Sequence, residues 1–434
     1  MLKVADVFSG AGGFSVGFRS AGFDVVAASD SDPDACATFG RNFKGASVVH
    51  GDLTVSAVKE EFLLAARDCD VVVGGPPCQA FSQVRNHVRL IDDSRNRLYR
   101  EFVELVGRLQ PRAFVMENVP GMDQMGVREQ VLEDLGLGGG YRVTSQVLDA
   151  MDFGVPQTRK RIVFTGIRSD LNEKPPSYQG SAASEAFSLL RTESGERASY
   201  RPTRRELGPG LGLDLAELLD PGSLRLVTAQ QAIGDLEVLR RGRRADELPL
   251  GELPRAQSAY QRRMRKGLRG VITNVQVPRS NADTALRLEQ IPEGGNYRDL
   301  PEEFTARYLT GLKWGPHNGS SKLSRKHYYA YRRLHSQYFG WTLNTKGDSV
   351  YHYSRTRALS VREFARLQSF PDSFVFRTDG RRGELPGRHS GGAAHSRYRQ
   401  VGNAVPPLMA EAIATTLGAL LRAVDSDGAT ALSA

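Results

Sequence analysis

Through the first 168 residues, short apolar runs alternate with stretches whose apolar side chains recur every three or four positions. The runs at 4–8, 23–28, 47–50, 71–73, 113–116 and 162–167 predict strands, because apolar and β-branched residues bounded by Gly, Pro or Asp suit a strand covered on both faces. The segments 13–20, 34–43, 96–109 and 127–135 predict the helices between them. A βαβ series of this kind builds an open, mostly parallel α/β sheet. Ligands of such sheets sit beyond the carboxyl ends of the strands. From about 170 to 221 the pattern dissolves into Pro, Ser, Gly and Arg, which reads as a surface connection. A second region runs to about 355, followed by a helical segment at 360–369 and a Gly/Arg-rich loop at 377–396. An apolar helical stretch closes the pattern at 408–421. No internal repeat is visible.

With 434 residues the chain exceeds one small core and fits one large domain plus an insertion, or two domains. Cys36, Cys69 and Cys78 form no CxxC pair, which argues against a disulfide framework and a structural zinc site and points to a reducing, cytosolic home. No apolar run reads as long enough to span a bilayer. The formal charge of +9 suits a polyanionic partner, although solvated surfaces reach such values too.

The candidate chemistry clusters where strands end. GGPPCQAFS, Gly74 to Ser82, sets Cys78 behind two prolines at the close of an apolar run, so its thiol is held rigidly at the sheet's carboxyl edge. DVFSGAGGFSVGF, Asp6 to Phe18, passes from the first strand into the first helix through Gly10, Gly12 and Gly13, which lets a ligand approach the backbone at a helix N-terminus. Ser15 stands where a dinucleotide fingerprint has its third glycine, and no phosphate-binding GxxxxGK[ST] occurs. Asp30 closes the second strand, placed to accept from ribose hydroxyls, and Asp52 follows the third, placed to take an adenine amino group. Each acid alone also reads as a helix cap. ENV, Glu117 to Val119, brings a carboxyl group to the edge that holds Cys78. In QTRKR, Gln157 to Arg161, strand alternation puts Arg159 and Arg161 on one face.

In series, DVFSGAGGF, HGDL, GGPPCQAFS, ENV, QTRKR, RALSVREFARLQSFPDSF and RQVGNAVPP resemble the motifs of DNA cytosine-5 methyltransferases of the bacterial modification type. The resemblance covers most of 3–168 and 355–420. It implies a Rossmann-like S-adenosylmethionine-dependent sheet in a discontinuous catalytic domain, 1–170 with 356–434, and a smaller target-recognition domain within 171–355. It implies that Cys78 attacks carbon 6 of cytosine, that Glu117 protonates or hydrogen-bonds ring nitrogen 3 with a proton kept available by burial, that Arg161 holds the base's carbonyl oxygen, and that Arg159 supports the nucleophile. Phe8, Gly10, Gly12, Gly13, Asp30, Asp52, Leu53 and Asn403 become the cofactor-binding set. Gln79 and Arg95, in a polar stretch at 79–97, match a loop that closes over DNA once the base has swung out. Asp30 stands where many members have Glu, and Ser31 where a bulky apolar residue often packs on adenine.

Between Glu303 and Asp348 there is no acid, and cations alternate with aromatic residues, as a nucleic-acid surface requires. The stretches YRRL and WTLNT, with Arg332, Arg333, Thr342 and Leu343, resemble the core of the family's recognition region, and Arg262, Arg263, Arg265, Lys266 and Arg269 would extend that basic surface. The expected partner is double-stranded DNA, the expected state a monomer without a membrane, and the family's habit pairs such enzymes with a cognate restriction endonuclease. Three rival readings are an RNA methyltransferase of the same family, a silent DNA-binding module and a nicotinamide oxidoreductase. The long recognition region disfavours the first. The joint presence of Cys78, Glu117 and both arginines disfavours the second, and the glycine spacing the third.

Overall fold

The computed structural model describes residues 1–77, 97–121, 127–181, 226–279, 282–301, 303–304, 331–379 and 393–432. Its framework alternates β1 (Lys3–Val7), α1 (Gly13–Ser20), β2 (Asp24–Asp30), α2 (Pro33–Asn42), β3 (Ser47–His50), α3 (Ser56–Ala66), β4 (Val71–Gly74), α4 (Arg97–Leu109), β5 (Ala113–Asn118), α5 (Arg128–Leu135), β6 (Tyr141–Asp149) and β7 (Lys160–Arg168). The sheet order is β3-β2-β1-β4-β5-β7-β6, parallel from β3 to β5, with β7 antiparallel to both its neighbours. The mostly parallel α/β sheet expected from the pattern is therefore present. Strand β6 and helix α3 were not read from it.

Both faces of the sheet are covered, which explains why its strands read as continuous apolar runs. Val71, Val73, Ala113 and Val115 point into one core and Val72, Phe114 and Met116 into the other. Helix α4 shows the matching helical period, burying Tyr99, Phe102, Leu105 and Val106. Helix α2 starts where Asp32 accepts from the Asp34 amide and Pro33 presets the first turn.

The second region carries α6 (Ala229–Ile233), the antiparallel pair β8 (Glu247–Pro249) and β9 (Val271–Thr273), α7 (Ala259–Met264) and α8 (Ala282–Gln290). Leu236, Leu248, Ile272 and Val275 form a small core of their own there. Gly340 then runs beside the approach to β7, its amide donating to Pro156 O and its carbonyl accepting from Thr158 N. Helix α9 (Val361–Leu367) is wholly buried and opens on a capping box between Ser360 and Glu363. Its Arg366 lies between Asp235 and Asp372, at 2.9 and 2.6 Å, and Arg362 donates to the carbonyls of Thr273, Pro371 and Phe374. Buried cations on one helix thereby tie the second region to the last segment of the chain.

That last segment holds α10 (Ala393–Asn403) and α11 (Pro407–Leu432), so helix begins inside the stretch read as a Gly/Arg-rich loop. Another expectation is corrected here, since the helical stretch 395–427 is by length and composition apolar enough to cross a membrane. Its apolar residues are core: Met409, Ala410, Ile413, Leu417 and Leu421 are fully buried, and α11 packs on α1. The contact is close because Gly17 has no side chain; a Cβ there would lie 2.5 Å from Ala410 Cβ.

Candidate active site

Strands β1, β2, β4 and β5 end at one edge of the sheet, and β7 begins there. A cavity of about 600 Å³ opens at that edge. It is lined by the loop after β1 (Phe8, Ser9, Gly10), the ends of β2 and β3 (Asp30, Asp52, Leu53), the turn after β4 (Gly75, Pro76, Pro77), Glu117, Arg159, Arg161, residues 342–345, Arg399, Gln400 and 402–405. Cys78, Gln79 and Arg95 lie outside the described residues. Pro77, the neighbour of Cys78 in sequence, lines the cavity.

At the glycine-loop end, Phe8 and Gly10 adopt left-handed backbone, φ 57° and 53°, and the space in front of Gly10 is open to 4 Å. Asp30 fixes this loop, one carboxylate oxygen accepting from Gly10 N and the other from Asp32 N, both at 2.8 Å. Burial pushes the Asp30 carboxyl up, and these two amides pull it back. Asp52 is exposed, and hydrogen bonds from Thr54 hold its carboxyl below the usual range. Beneath the loop, buried Asp6 accepts from Ser15 Oγ at 2.6 Å, and burial raises its pKa to about 7. Ser15, which breaks the dinucleotide fingerprint, is thus the partner of a buried acid that lines the cavity. Gly12, expected in the cofactor set, does not line the cavity: it caps α1 at φ 97°, its amide donates to Ser9 O, and a Cβ on it would strike Phe39 and Phe43. It faces the core, whereas Gly10 and Gly13 line the cavity.

At the other end, Arg161 Nε lies 2.5 Å from Glu117 Oε1, both side chains nearly buried. Glu117 is therefore half of an ion pair. Asn118 props the wall by donating to Pro76 O at 3.1 Å. Arg159 and Arg161 reach the same cavity with different partners. The guanidinium of Arg159 is buried and donates to Leu343 O at 3.2 Å and Gly402 O at 2.9 Å, while its Nε has no partner among the described residues. Burial, with the Arg161 charge beside it, pushes its pKa well down.

Thr342 and Leu343 line the cavity, held by Thr342 Oγ1 donating to Thr158 O at 2.6 Å and Leu343 N donating to Gln157 Oε1 at 3.0 Å. Arg332 and Arg333 do not join them. Arg332 is buried with its guanidinium over the Trp341 ring, and Arg333 donates to the carbonyls of Tyr353, Leu288 and Ile291. Both guanidinium groups have partners within the fold, and neither residue lines the cavity. In the basic cluster, Arg263 pairs with Glu411 and Arg265 with Asp235. Most of the aromatic and basic stretch 305–330 lies outside the described residues.

Sequence reading missed Asp32 and Arg399, both lining the cavity and paired with each other. One signal was available: Arg399 sits four residues before Asn403, so both fall on one face of α10.

A family model for C-5 cytosine-specific DNA methylases matches residues 2–419. The Type II methyltransferase M1.HphI of Haemophilus parahaemolyticus is 32% identical over 95% of this chain and 86% of its own length. The DNA (cytosine-5-)-methyltransferase M.ApeKI of Aeropyrum pernix is 30% identical over 96% of this chain and 98% of its own. Among solved structures, an E. coli prophage protein described as a DNA modification methyltransferase shares the fold, with a TM-score of 0.64 at 24% identity over 97% of this chain and 100% of that one. With a family match running from the first strand to the last helix, and with full-length relatives of that name, the chain belongs to the C-5 cytosine-specific DNA methylase family and is a DNA (cytosine-5-)-methyltransferase.

Proposed function

We propose that the cavity takes S-adenosylmethionine at its glycine-loop end and a cytosine flipped out of double-stranded DNA at its Glu117 end. One observation carries this reading: the Gly10–Asp30 loop, the Glu117–Arg161 pair, buried Arg159 and Pro77 line a single cavity. The fit to the cofactor rests on the open space before Gly10, the strand-end acids Asp30 and Asp52, and the exposed Asn403 on the same wall.

When bound, S-adenosylmethionine supplies an electrophilic methyl group. Cys78, as thiolate, forms a bond from Sγ to carbon 6 of the base, and the electron pair of the 5,6 double bond becomes available at carbon 5. Glu117 donates to or protonates ring nitrogen 3. Arg161 has donors left for the base's carbonyl oxygen, because a guanidinium carries five N–H groups and its contacts to Glu117 and Lys160 O leave others free. Arg159 lines the cavity that Pro77 also lines, and positive charge there would favour thiolate at Cys78. Loss of the carbon-5 proton to water then breaks the carbon 6–sulfur bond and restores the aromatic ring. Extruding the base costs roughly a few kcal/mol, and closure by the segment holding Gln79 and Arg95 offsets it.

The catalytic unit comprises 1–170 and 356–434, and 171–355 holds the target-recognition part. Thr342 and Leu343, on the cavity wall, are its parts nearest the chemistry. The enzyme serves a Type II restriction-modification system beside a cognate endonuclease, as a monomer in the cytoplasm.

The test is transfer of labelled methyl groups to unmethylated plasmid DNA and, separately, to tRNA, by wild type and by Cys78→Ala. A recurring modified cytosine in DNA, absent with Cys78→Ala while cofactor binding persists, is expected. Label in tRNA alone, or full activity of the variant, would overturn the reading.

A further inference from the structure

Helix α10 docks along α2 through three side-chain contacts that differ in exposure. Ser396 donates to Asp34, and Gln400 Oε1 accepts from Thr38 Oγ1 at 2.6 Å, both between buried groups. The third is the Arg399–Asp32 ion pair, whose side chains keep 33% and 22% of their surface and line the cavity mouth. Asp32 is not an isolated partner. Its amide donates to Asp30 Oδ1 while Asp30 Oδ2 accepts from Gly10 N, each at 2.8 Å, so a continuous chain of polar contacts runs from Arg399 to the glycine loop.

From this geometry we infer that Arg399 is a positioning residue for the cofactor: acting through Asp32, it holds Asp30 and the glycine loop in the shape that receives the ribose. The inference rests on the cavity being the S-adenosylmethionine site. Its logic is a division of labour. The two buried contacts keep α10 on α2 with or without Arg399, so losing the exposed pair alters the loop more than the fold. A merely structural ion pair of this exposure would contribute little to either.

Charge at the mouth gives a second readout. Asp30 faces Asp6 from β1, Asp32 and Cys36 from the start of α2, and Arg399 from α10; Asp32 raises its pKa and Arg399 lowers it. Removing Arg399 leaves Asp30 among acids. An acceptor for ribose hydroxyls works best ionised, so binding should then fail at a higher pH than in wild type.

The experiment measures calorimetric binding of S-adenosylhomocysteine without DNA, alongside KM and kcat for methyl transfer. Arg399→Ala should weaken binding and raise KM for S-adenosylmethionine roughly tenfold with kcat at saturation within about twofold, since one charge-assisted contact is lost. Its melting temperature should stay within about 2 °C of wild type, and its acid limb of binding should move to higher pH. Arg399→Lys should recover most of the affinity. Asp32→Asn, which still caps α2, should match Arg399→Ala, and the double variant should be no worse than either. Unchanged binding in Arg399→Ala, or additive losses in the double variant, would overturn the role. Wild type failing to bind S-adenosylhomocysteine would instead overturn the reading of the cavity.

Discussion

Gly402 sits where the two ends of the active site meet, and adding one methyl group there should damage both stability and rate. A Cβ on Gly402 would lie 2.1 Å from Asn344 O and 2.7 Å from Asn344 C, both backbone atoms. An ordinary contact needs about 3.4 Å or more, so α10 and the 343–345 segment must separate by about 1.3 Å. Arg159 bridges that seam, donating to Leu343 O at 3.2 Å and Gly402 O at 2.9 Å. A shift of this size stretches at least one of these bonds past useful length. Overpacking of this kind costs about 1–3 kcal/mol, and a misplacement of about 1 Å near reacting groups lowers rates by as much as 100-fold. Denaturant melts of Gly402→Ala and its kcat at saturating cofactor and DNA test both effects. Gly251→Ala, with nothing within 4 Å, is the neutral control. Wild-type kcat and midpoint in Gly402→Ala would refute the argument.

Three further outcomes are expected. Glu117→Gln should lower kcat about 10²–10⁴-fold while S-adenosylhomocysteine still binds, because proton donation is lost and the far end of the cavity is untouched; single-turnover methyl transfer and calorimetry check it. Asp6 has its pKa raised from 3.8 to about 7 by burial, so the stability it lends is full below pH 4 and falls as pH climbs toward 7. Asp6→Asn keeps an acceptor for Ser15 and should gain on wild type across that window; parallel melts from pH 4.5 to 8 that never diverge would contradict this. Arg366→Ala would remove the buried cation shared by Asp235 and Asp372, leaving Asp235 to Arg265 and Asp372 to Arg362 at 4.0 Å, a loss of about 3 kcal/mol, read by urea denaturation.

Much of the framework was legible because a sheet covered on both faces writes itself as apolar runs. Helix α1 has the bounds its pattern predicts, and the strands found by pattern agree to within a few residues. Strand β6 escaped because it is the edge strand and its side chains from Arg142 to Gln146 are half-exposed or exposed, leaving no apolar period. Helix α3 escaped because Leu64 is exposed beside buried Leu63, which blurs its face. Within the site, motif order located Glu117, Asp30 and the two arginines, since each terminates or begins a strand at one edge. Partners were not legible. Nothing in YRRL says that Arg333 meets three carbonyls, or in QTRKR that Arg161 meets Glu117, because these pairings join segments 20 to 45 residues apart through tertiary packing.

The fit of α11 onto α1 also orders events during synthesis. Gly13 and Gly17 press against Val405 and Ala410, so α1 finds its covering partner nearly four hundred residues after it is made. At roughly 5–20 residues per second, that is a wait of about 20–80 s with an apolar face uncovered. A chain that stops short of α11 would keep that face bare and offer it to chaperones and proteases, so an incomplete enzyme is more readily cleared than left to act on the genome.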